Sequence, residues 1–511
     1  MKTFCASAMV LTAYLAISSL VSGQTAVAPK VEKNAPHPSF DISPEEAAAN
    51  QHYNQPLRPQ FHYTPIQGFV GDATGLIYDN GTYHLFYMSD KWERRKNRNK
   101  RWGYATSSDL LHWSEKPSVL DPIHDNKPGS GSGIVDWDNT LGLQTGRQKT
   151  LVVYYTDYKT GSCILYSTNG GVTWTRHPQN PVLPRIASND RDPTVFWHPQ
   201  TKQWRMIRHE EPFNGDGKTG FVFFGSTNLL DWTFLSRIGD FNECADFFEL
   251  PVRGGRRGEK KWVLMDAGYN YKLGSFDGTE FKPESEKLRA DYGAAKFAYA
   301  PQTWKKTRDG KTPPIQMGFL HYPKGADLMP MRLVWHGQMT FPCEITLKQF
   351  AEGPRICREP IKAIEKLYGE KRSWRNLMLK PGENPLADLT GDTLDIRMEI
   401  ELDEAAEIIF NVRGELIRYS RARHLLEIGT SKIPLRLAGK TLRLRVLLDR
   451  ASIEVFADEN QVSFSKAVFF DAAQRDFSLS AEKGGAQLKS LTAHQIKSIW
   501  DENAKVASAK R

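Results

Sequence analysis

The sequence is poor in cysteine and has no long apolar run beyond its first residues. Only five of 511 residues are cysteine, in neither CxxC nor Cys/His spacing, which excludes a zinc finger and a disulfide scaffold. An apolar run from Ala8 to Val21 follows Lys2 and ends in Ser22-Gly23. This pattern predicts a secretory signal peptide over residues 1–23, since the run is too short for a membrane span. We therefore expect an exported protein, secreted or periplasmic. The sequence does not decide whether one disulfide forms.

A strong excess of one charge is also missing. The net charge is +9, and seven basic residues lie between Lys91 and Arg101. No nucleic-acid motif accompanies this run, so it favours a solvated loop, with attraction of an anionic glycan or surface as the alternative. We expect no nucleic-acid partner and no membrane span.

Aromatic residues, 11% of the chain, are spread through short strand-like runs, which indicates an all-β protein. Three segments resemble one another at intervals of about 60 residues, and each follows an aromatic or β-branched strand. They are Ser107-Ser-Asp-Leu-Leu-His-Trp113, Ser167-Thr-Asn-Gly-Gly-Val-Thr-Trp174 and Ser226-Thr-Asn-Leu-Leu-Asp-Trp232, with a looser fourth copy at 274–281. Such a repeat predicts one four-stranded blade per period and therefore a β-propeller.

The C-terminal part follows another pattern. Apolar and charged residues alternate strictly over 394–402, which predicts half-buried antiparallel strands and a β-sandwich. Residues 354–380 are charged and are expected to form a more helical connection. The predicted order is a signal peptide (1–23), a tether (24–56), a propeller catalytic domain (57–349), a connecting segment (350–385), a β-sandwich (386–497) and a polar tail (498–511).

Three acidic residues are candidates for chemistry. Asp72 lies between glycines at a hairpin, Asp192 lies in Asn189-Asp-Arg-Asp-Pro193, and Glu243 lies in Phe241-Asn-Glu-Cys-Ala245. Taken singly, each is more typical of a structural turn. Each opens or precedes a strand of a different blade, so all three are expected to converge on the propeller axis. Glycoside hydrolysis needs one ionised carboxylate and one protonated acid, and crowding is expected to raise the pKa of one member.

Read in order, the motifs of this chain resemble those of glycoside hydrolase family 32, which contains invertases, levanases, inulinases and exo-fructosidases. The resemblance covers about Pro56 to Leu491. The segments that carry it are Arg58-Pro-Gln-Phe-His-Tyr-Thr-Pro65, Gly71-Asp-Ala-Thr-Gly75, Tyr83-His-Leu-Phe-Tyr87, 102–113, Arg191-Asp-Pro193, Glu243-Cys244, Asp291-Tyr-Gly293, Gln338-Met-Thr-Phe-Pro342 and Asp449-Arg-Ala-Ser-Ile-Glu-Val-Phe456.

The resemblance implies a five-bladed β-propeller followed by a C-terminal β-sandwich, and hydrolysis with retention of configuration. It implies that Asp72 is the nucleophile, Glu243 the acid/base and Asp192 the stabiliser of the transition state. The carboxyls of Asp72 and Glu243 should then lie roughly 5–5.5 Å apart. No metal or organic cofactor is expected, and the partner is a carbohydrate, sucrose or fructan. The protein is expected to be a monomer or a homodimer.

The chain departs from the family pattern around the sugar. Phe69-Val-Gly-Asp-Ala-Thr-Gly75 stands where the family has Trp-Met-Asn-Asp-Pro-Asn-Gly, Met88 replaces a Gln and Tyr104 a His. Each lost hydrogen bond to a sugar hydroxyl is worth about 0.5–1.5 kcal/mol. Besides the three acids, the predicted substrate contacts are Arg191, Trp102, Tyr104, Thr74, Met88, Ser130, Ser132 and Cys244. Cys244 is expected either to keep the proton of Glu243 in place or to be a small buried apolar residue.

These features favour an exported retaining β-fructofuranosidase or fructan hydrolase of levanase type. Two alternatives stay open. One is a non-catalytic carbohydrate-binding protein with a degenerate site, and the other is a fructosyltransferase or a hydrolase of another furanoside. The sequence does not distinguish sucrose, levan and inulin, or exo from endo cleavage.

Overall fold

The computed structural model describes residues 53, 55, 57–90, 100–120, 127–213, 218–294, 296–305, 313–322, 335–404, 406–471 and 473–500. The predicted signal peptide, most of the tether, residues 91–99 of the basic run and residues 501–511 of the tail lie outside this part. Strands dominate it, and none of its helices has the length and apolar character needed to cross a membrane.

The first blade begins with the hairpin that the sequence predicts. Asn80 and Gly81 join its first two strands with φ of 45° and 81°, as expected for an Asn-Gly hairpin turn. The four antiparallel strands of this blade are β1 (Gly68–Asp79), β2 (Thr82–Asp90), β3 (Arg101–Ser107) and β4 (Ser114–Leu120).

Four further blades follow in chain order, which confirms the five-bladed propeller. The second contains β5 (Pro128–Asp136), β6 (Thr150–Asp157), β7 (Gly161–Ser167), β8 (Thr175–Arg176) and β9 (Leu183–Pro184). The third contains β10 (Arg191–His198), β11 (Gln203–Phe213), β12 (Lys218–Ser226) and β13 (Thr233–Gly239). The fourth contains β14 (Asp246–Arg253), β15 (Lys260–Met265), β16 (Asn270–Phe276), β17 (Phe281–Pro283) and β18 (Leu288–Arg289).

The fifth blade contains β19 (Ala298–Trp304), β20 (Ile315–Leu320), β22 (Gln338–Met339), β23 (Cys343–Phe350) and β24 (Gly353–Pro360). Strand β23 pairs in parallel with β14 and so joins the last two blades into one ten-stranded sheet. The short strand β21 (Trp335–His336) instead pairs in parallel with β1 of the first blade. Residues late in the propeller therefore contact its first strand.

The sequence repeat marks the turn between the third and fourth strands of a blade. In the first and third blades the repeat serine accepts a hydrogen bond from the amide three residues on, at Leu110 (2.8 Å) and Leu229 (2.9 Å). These two leucines have φ of 66° and 67°. The repeat Trp packs between blades: Trp174, for example, lies edge-on to Phe86 of the first blade, with ring centroids 5.1 Å apart. The fourth copy joins β16 to β17, so all four copies occupy equivalent places.

The C-terminal part is a β-sandwich of two sheets around one apolar core. Its strands are β25 (Tyr368–Leu379), β26 (Leu394–Leu402), β27 (Glu407–Val412), β28 (Glu415–Ser420), β29 (Leu425–Ile428), β30 (Ser431–Pro434), β31 (Thr441–Asp449), β32 (Ser452–Ala457), β33 (Val462–Ala467), β34 (Phe477–Lys483) and β35 (Ala486–Ile496). One sheet has the order β25-β35-β26-β31-β32-β33 and the other β30-β29-β28-β27-β34. The alternating apolar residues of β26 all lie in this core, as predicted.

The expectation of a helical connection over residues 354–380 is wrong. This segment contains β24, a short 3-10 helix (Lys362–Leu367) and β25. Strand β25 lies at the edge of its sheet and most of its side chains are exposed. An edge strand that carries Lys, Arg and Glu resists further pairing, and these same residues give it a helix-like composition. The exact domain boundaries stay a prediction.

Two buried charge clusters join the propeller to the sandwich. Asp449 of β31 accepts hydrogen bonds from the backbone amides of Gln60, Phe61 and His62 and from His62 Nδ1 (2.8 Å). Farther along, Asp291 pairs with Arg358 and accepts a bond from Ser465 Oγ at 2.7 Å. Thus several of the motifs that resemble the family pattern lie at the contact between the two domains.

Within the described residues, Cys163, Cys244, Cys343 and Cys357 are buried and form no disulfide.

Candidate active site

The inner strands of four blades are irregular at the same end of the propeller. Pairing of each inner strand with its neighbour skips residues at one point, and the skipped or flanking residues include the predicted site. These shifts lie between Val70 and Ala73, Gly129 and Gly131, Arg191 and Thr194, and Tyr299 and Gln302. A β-bulge bends a strand and turns a side chain out of its regular alternation. The bulges therefore account for how Asp72, Ser130, Asp192 and Tyr299 leave the strand pattern.

Asp72 and Asp192 are connected through the second blade. Ser130 Oγ donates to Asp72 Oδ2 at 2.8 Å. The carbonyl of Ser130 accepts a hydrogen bond from Thr156 Oγ1 at 3.0 Å. Thr156 Oγ1 in turn accepts a hydrogen bond from the amide of Asp192 at 2.7 Å. Because these contacts run through buried backbone, they fix the spacing of two carboxylates that are 120 positions apart in the chain.

Glu243 is held from two sides. Arg191 Nε contacts its Oε2 at 2.7 Å, and the Tyr299 hydroxyl donates to its Oε1 at 2.7 Å. Asn242 in turn donates to the Tyr299 oxygen at 2.9 Å. The side chain of Glu243 is 25% exposed, so this carboxyl is partly accessible, whereas Asp192 is buried.

Asp192 lies deeper, with 4% of the residue exposed and a backbone φ of 58°. Its Oδ2 accepts bonds from the amide of Cys244 (3.3 Å) and from Cys244 Sγ (3.4 Å), and lies 3.7 Å from Arg191 Nε. The expectation that Cys244 holds the proton of Glu243 is therefore corrected: its side chain is buried and bonds Asp192 instead. Its φ of 53° bends the chain so that neighbouring residues face different carboxylates.

The charges of the three acids interact strongly. Burial and the charge of Glu243 raise the pKa of Asp192 to about 7, and the same two causes raise the pKa of Asp72 against the hydrogen bond from Ser130. Burial also raises the pKa of Glu243, but the bond from Tyr299 and the charge of Arg191 outweigh it and hold this pKa below its ordinary value. Crowding thus raises the pKa as expected, but the opposite shifts of these two pKa values favour a proton on Asp192 rather than on Glu243.

Most of the predicted replacement contacts are used inside the protein. Thr74 Oγ1 bonds both the carbonyl and the amide of Gly131 at 2.8 Å, and Ser132 Oγ accepts a bond from the amide of Val195 at 2.9 Å. Trp102 is inaccessible and donates to the carbonyl of Gly129 at 3.1 Å. These three residues position the bulged strands, so the prediction that they contact sugar is corrected to a supporting role.

Tyr104 and Met88 are also buried. Tyr104 stacks on Phe86 with ring centroids 4.5 Å apart, and its hydroxyl lies 2.7 Å from His84 Nδ1. It therefore packs between the first two blades, away from the acids, and is not a substrate contact. Met88 is 3% exposed and packs in the same apolar cluster. Of the predicted shell, Arg191, Ser130 and Cys244 are the residues that bond the carboxylates directly.

Phe69 explains why glycine precedes the candidate nucleophile. A Cβ on Gly71 would lie 2.7 Å from the Phe69 ring, so the ring covers the place where the family carries an asparagine side chain. Phe69 also packs against Phe319 and His336. An aromatic ring, and no polar side chain from position 71, therefore lies beside Asp72.

Sequence reasoning missed two residues of the cluster, Tyr299 and Glu211. Neither belongs to a motif that the sequence analysis singled out, and no local pattern marks a carboxylate or hydroxyl for a contact made across blades. Glu211 bonds Arg191 Nη1 at 3.0 Å. Among the described residues, no group of His, Cys, Asp and Glu is arranged to hold a metal ion.

Both parts of the chain match known family models. Residues 62–360 match the glycosyl hydrolases family 32 N-terminal domain, and residues 363–495 match the glycosyl hydrolases family 32 C-terminal domain. Together the two matches span the propeller and the sandwich.

Similar proteins cover the same span. A levanase of Bacillus subtilis is 33% identical over 89% of this chain and 72% of its own length. A levanase of another Bacillus strain is 30% identical over 88% of this chain and 53% of its length. Among solved structures, the exo-inulinase of Aspergillus awamori superposes with a TM-score of 0.75 at 24% identity, over 88% of this chain and 100% of that one. The last match supports the fold alone.

Proposed function

This chain belongs to glycosyl hydrolases family 32, and we propose that it is an exported, retaining hydrolase of terminal β-D-fructofuranosyl linkages. The proposed substrates are fructans of the levan or inulin type, or sucrose. The main support is the carboxylate cluster of Asp72, Asp192 and Glu243 at the end of the propeller where the inner strands bulge. The levanase names of the similar Bacillus proteins support the substrate class.

In the proposed mechanism Asp72 is the nucleophile. Ser130 donates to one of its oxygens and leaves the other available for attack on the anomeric carbon. Glu243 protonates the departing oxygen, and the covalent fructosyl intermediate on Asp72 is then released by a water that Glu243 deprotonates. Two displacements restore the original configuration. The separation of roughly 5–5.5 Å between the two carboxyls stays a prediction.

Asp192 and Arg191 are proposed to hold the fructosyl ring. Hydroxyls that donate to Asp192 stabilise its ionised form and lower its pKa from the value near 7. The charges of Asp192 and Glu243 repel each other, so an ionised Asp192 favours a proton on Glu243. Substrate binding would in this way move the favoured proton from Asp192 to Glu243.

A product analysis tests the proposal. The enzyme is incubated with sucrose, levan, inulin and an arabinofuranoside, and products are separated by chromatography. We expect free fructose from at least one fructan or from sucrose, and none from D72N or E243Q enzyme that melts like the wild type. Arabinofuranosides are included because Gly71 and Thr74 stand where the family pattern has asparagine. Absence of product from every substrate would leave a carbohydrate-binding protein instead, and chain-lengthened products at high sucrose would indicate a transferase.

A further inference from the structure

The guanidinium of Arg191 is hydrogen-bonded to two carboxylates, in addition to its longer contact with Asp192. Its Nε contacts Glu243 Oε2 at 2.7 Å, while its Nη1 contacts Glu211 Oε2 at 3.0 Å and donates to the carbonyl of Asn189 at 2.9 Å. Arg191 is largely buried, with 11% of its side chain exposed. Glu211 is thus a second charged partner of Arg191, in the neighbouring strand β11 and outside the three-acid cluster.

Glu211 is fixed in this position. Asn189 Nδ2 donates to its Oε2 at 2.7 Å, and the Asn189 amide donates to the Glu211 carbonyl at 3.0 Å. The hydrogen bond from Arg191 lowers the pKa of Glu211 below its ordinary value, which favours the ionised carboxylate. An ionised carboxylate in a fixed place competes directly with Glu243 for the charge of Arg191.

The other groups around Arg191 do not take over this role. His209 lies opposite Arg191 in β11 with its ring inaccessible, and burial lowers its pKa to about 4, so it is neutral. The titratable or charged groups that face Arg191 and Glu243 from the surrounding elements are Asp72, Lys100, Tyr158, Asp192, His209, Glu211, Cys244 and Tyr299. Among these described groups, Glu211 is the carboxylate that bonds Arg191 without belonging to the proposed reaction.

We infer that Glu211 is a positioning residue for the acid/base: it holds Arg191 between two carboxylates, so that Glu243 can carry the proton that the leaving oxygen needs. The inference rests on the proposed function. Without Glu211, Arg191 would interact with Glu243 and Asp192 alone, and its guanidinium could form a bidentate pair with one of them. Glu243 would then release its proton at a lower pH.

The test is the pH dependence of kcat/KM on levan for wild type, E211Q, E211D and E210Q. For E211Q we expect the alkaline limb to move to lower pH by about 1 unit. At pH values above the limb this shift lowers kcat/KM about tenfold, and at pH values below it the loss should be much smaller. E211D keeps the charge and should restore most of the limb. E210Q is the matched control, because Glu210 is the adjacent residue of β11 but pairs with Arg237 at 3.0 Å, and its limb should match the wild type.

The possible results separate this inference from the proposed function. If the wild type releases fructose but the limb of E211Q does not move, Glu211 has no such role, whether or not kcat falls. A limb that moves equally in E210Q would also overturn the inference, since the cause would be general loss of charge. If E211Q does not fold, E211A takes its place because it also removes the charge, and an alkaline limb that stays in place would overturn the inference. A wild type that cleaves no fructofuranoside overturns the proposed function and this inference together.

Discussion

At the scale of single residues, Ser130 controls the charge of the proposed nucleophile. Its hydroxyl is the side-chain donor that reaches Asp72 from β5, and this bond favours the ionised carboxylate. In S130A the pKa of Asp72 should rise, so the acidic limb of kcat/KM should move to higher pH by about 1 unit, the equivalent of a bond of roughly 1 to 1.5 kcal/mol. A pH–rate profile measures this shift.

The control for S130A is S132A. Ser132 lies two residues on in the same strand and accepts a bond from the amide of Val195 rather than touching Asp72. We expect S132A to lower the melting temperature while the acidic limb stays in place. Equal limbs in S130A and wild type would show that Ser130 does not tune the nucleophile.

Tyr299 acts on Glu243 in the opposite sense to Glu211. Its hydroxyl bond stabilises the ionised form of Glu243, so Y299F should raise the pKa of Glu243. The alkaline limb of kcat/KM should then move to higher pH by about half a unit to one unit, whereas E211Q moves it to lower pH. If the alkaline limbs of Y299F and E211Q moved in the same direction, this description of the acid/base would be contradicted.

Single residues were only partly predictable from the sequence. Asp72, Asp192, Glu243, Arg191 and Ser130 were all proposed from motifs, and the structure brings them into one cluster. Thr74, Trp102 and Tyr104 were assigned to the sugar because of their chemistry, but each bonds a partner within the propeller. A sequence shows which residues have polar atoms. Only the fold shows whether such an atom is already bonded to a partner inside the protein.

At the scale of elements, the bulges of the inner strands matter more than the strands themselves. The sequence contains the signals for them, because Gly71, Gly129, Gly131 and Pro193 interrupt otherwise strand-like runs, and such residues favour bulges. From the sequence, each candidate acid is expected to open or precede a strand. This holds for Glu243, which precedes β14, whereas Asp72 and Asp192 lie inside the irregular strands β1 and β10. The strands and the hairpin turn are predicted correctly.

The first hairpin offers a test of how tightly β1 is built into the site. Gly75 has φ of 59°, and a Cβ there would lie 2.8 Å from Phe86 and 3.0 Å from Trp102. Gly81 in the turn has φ of 81° with open space around it. We expect G75A to lower the free energy of unfolding by roughly 2–4 kcal/mol, from strain plus overpacking, and G81A by about 1 kcal/mol.

Urea denaturation followed by tryptophan fluorescence measures both values. Because Gly75 is three residues from Asp72 in the same strand, folded G75A enzyme should also lose activity, while folded G81A enzyme should keep it. Equal stabilities of the two variants would show that β1 can shift away from Phe86 and Trp102.

At the scale of the whole molecule, the propeller and the sandwich are joined by buried charge. His62 lies between Asp449 (2.8 Å) and Glu454 (3.4 Å), and all three side chains are inaccessible. Burial lowers the pKa of His62, but the bonds to both carboxylates more than offset this and raise it to about 9. The sequence predicted both domains but not this contact, because His62 and Asp449 are 387 positions apart and no local pattern pairs them.

This cluster should make stability depend on pH. Since the pKa of His62 is raised on folding from 6.5 to about 9, its contribution is fully present below about pH 6.5 and is lost as pH rises through 9. The loss amounts to about 3 kcal/mol. We expect the free energy of unfolding to fall between pH 6.5 and 9 in the wild type and to change much less in H62N. A similar slope in both proteins would mean that another group is responsible.

The proposed function depends most directly on a covalent fructosyl bond to Asp72. The measurement is mass spectrometry of peptides from enzyme quenched in acid during turnover of levan. We predict that the peptide containing Asp72 gains the mass of one fructosyl unit, and that the adduct is absent from D72N. Steady turnover with no adduct on this peptide, or an adduct on another carboxylate, would contradict the assignment of Asp72 as the nucleophile.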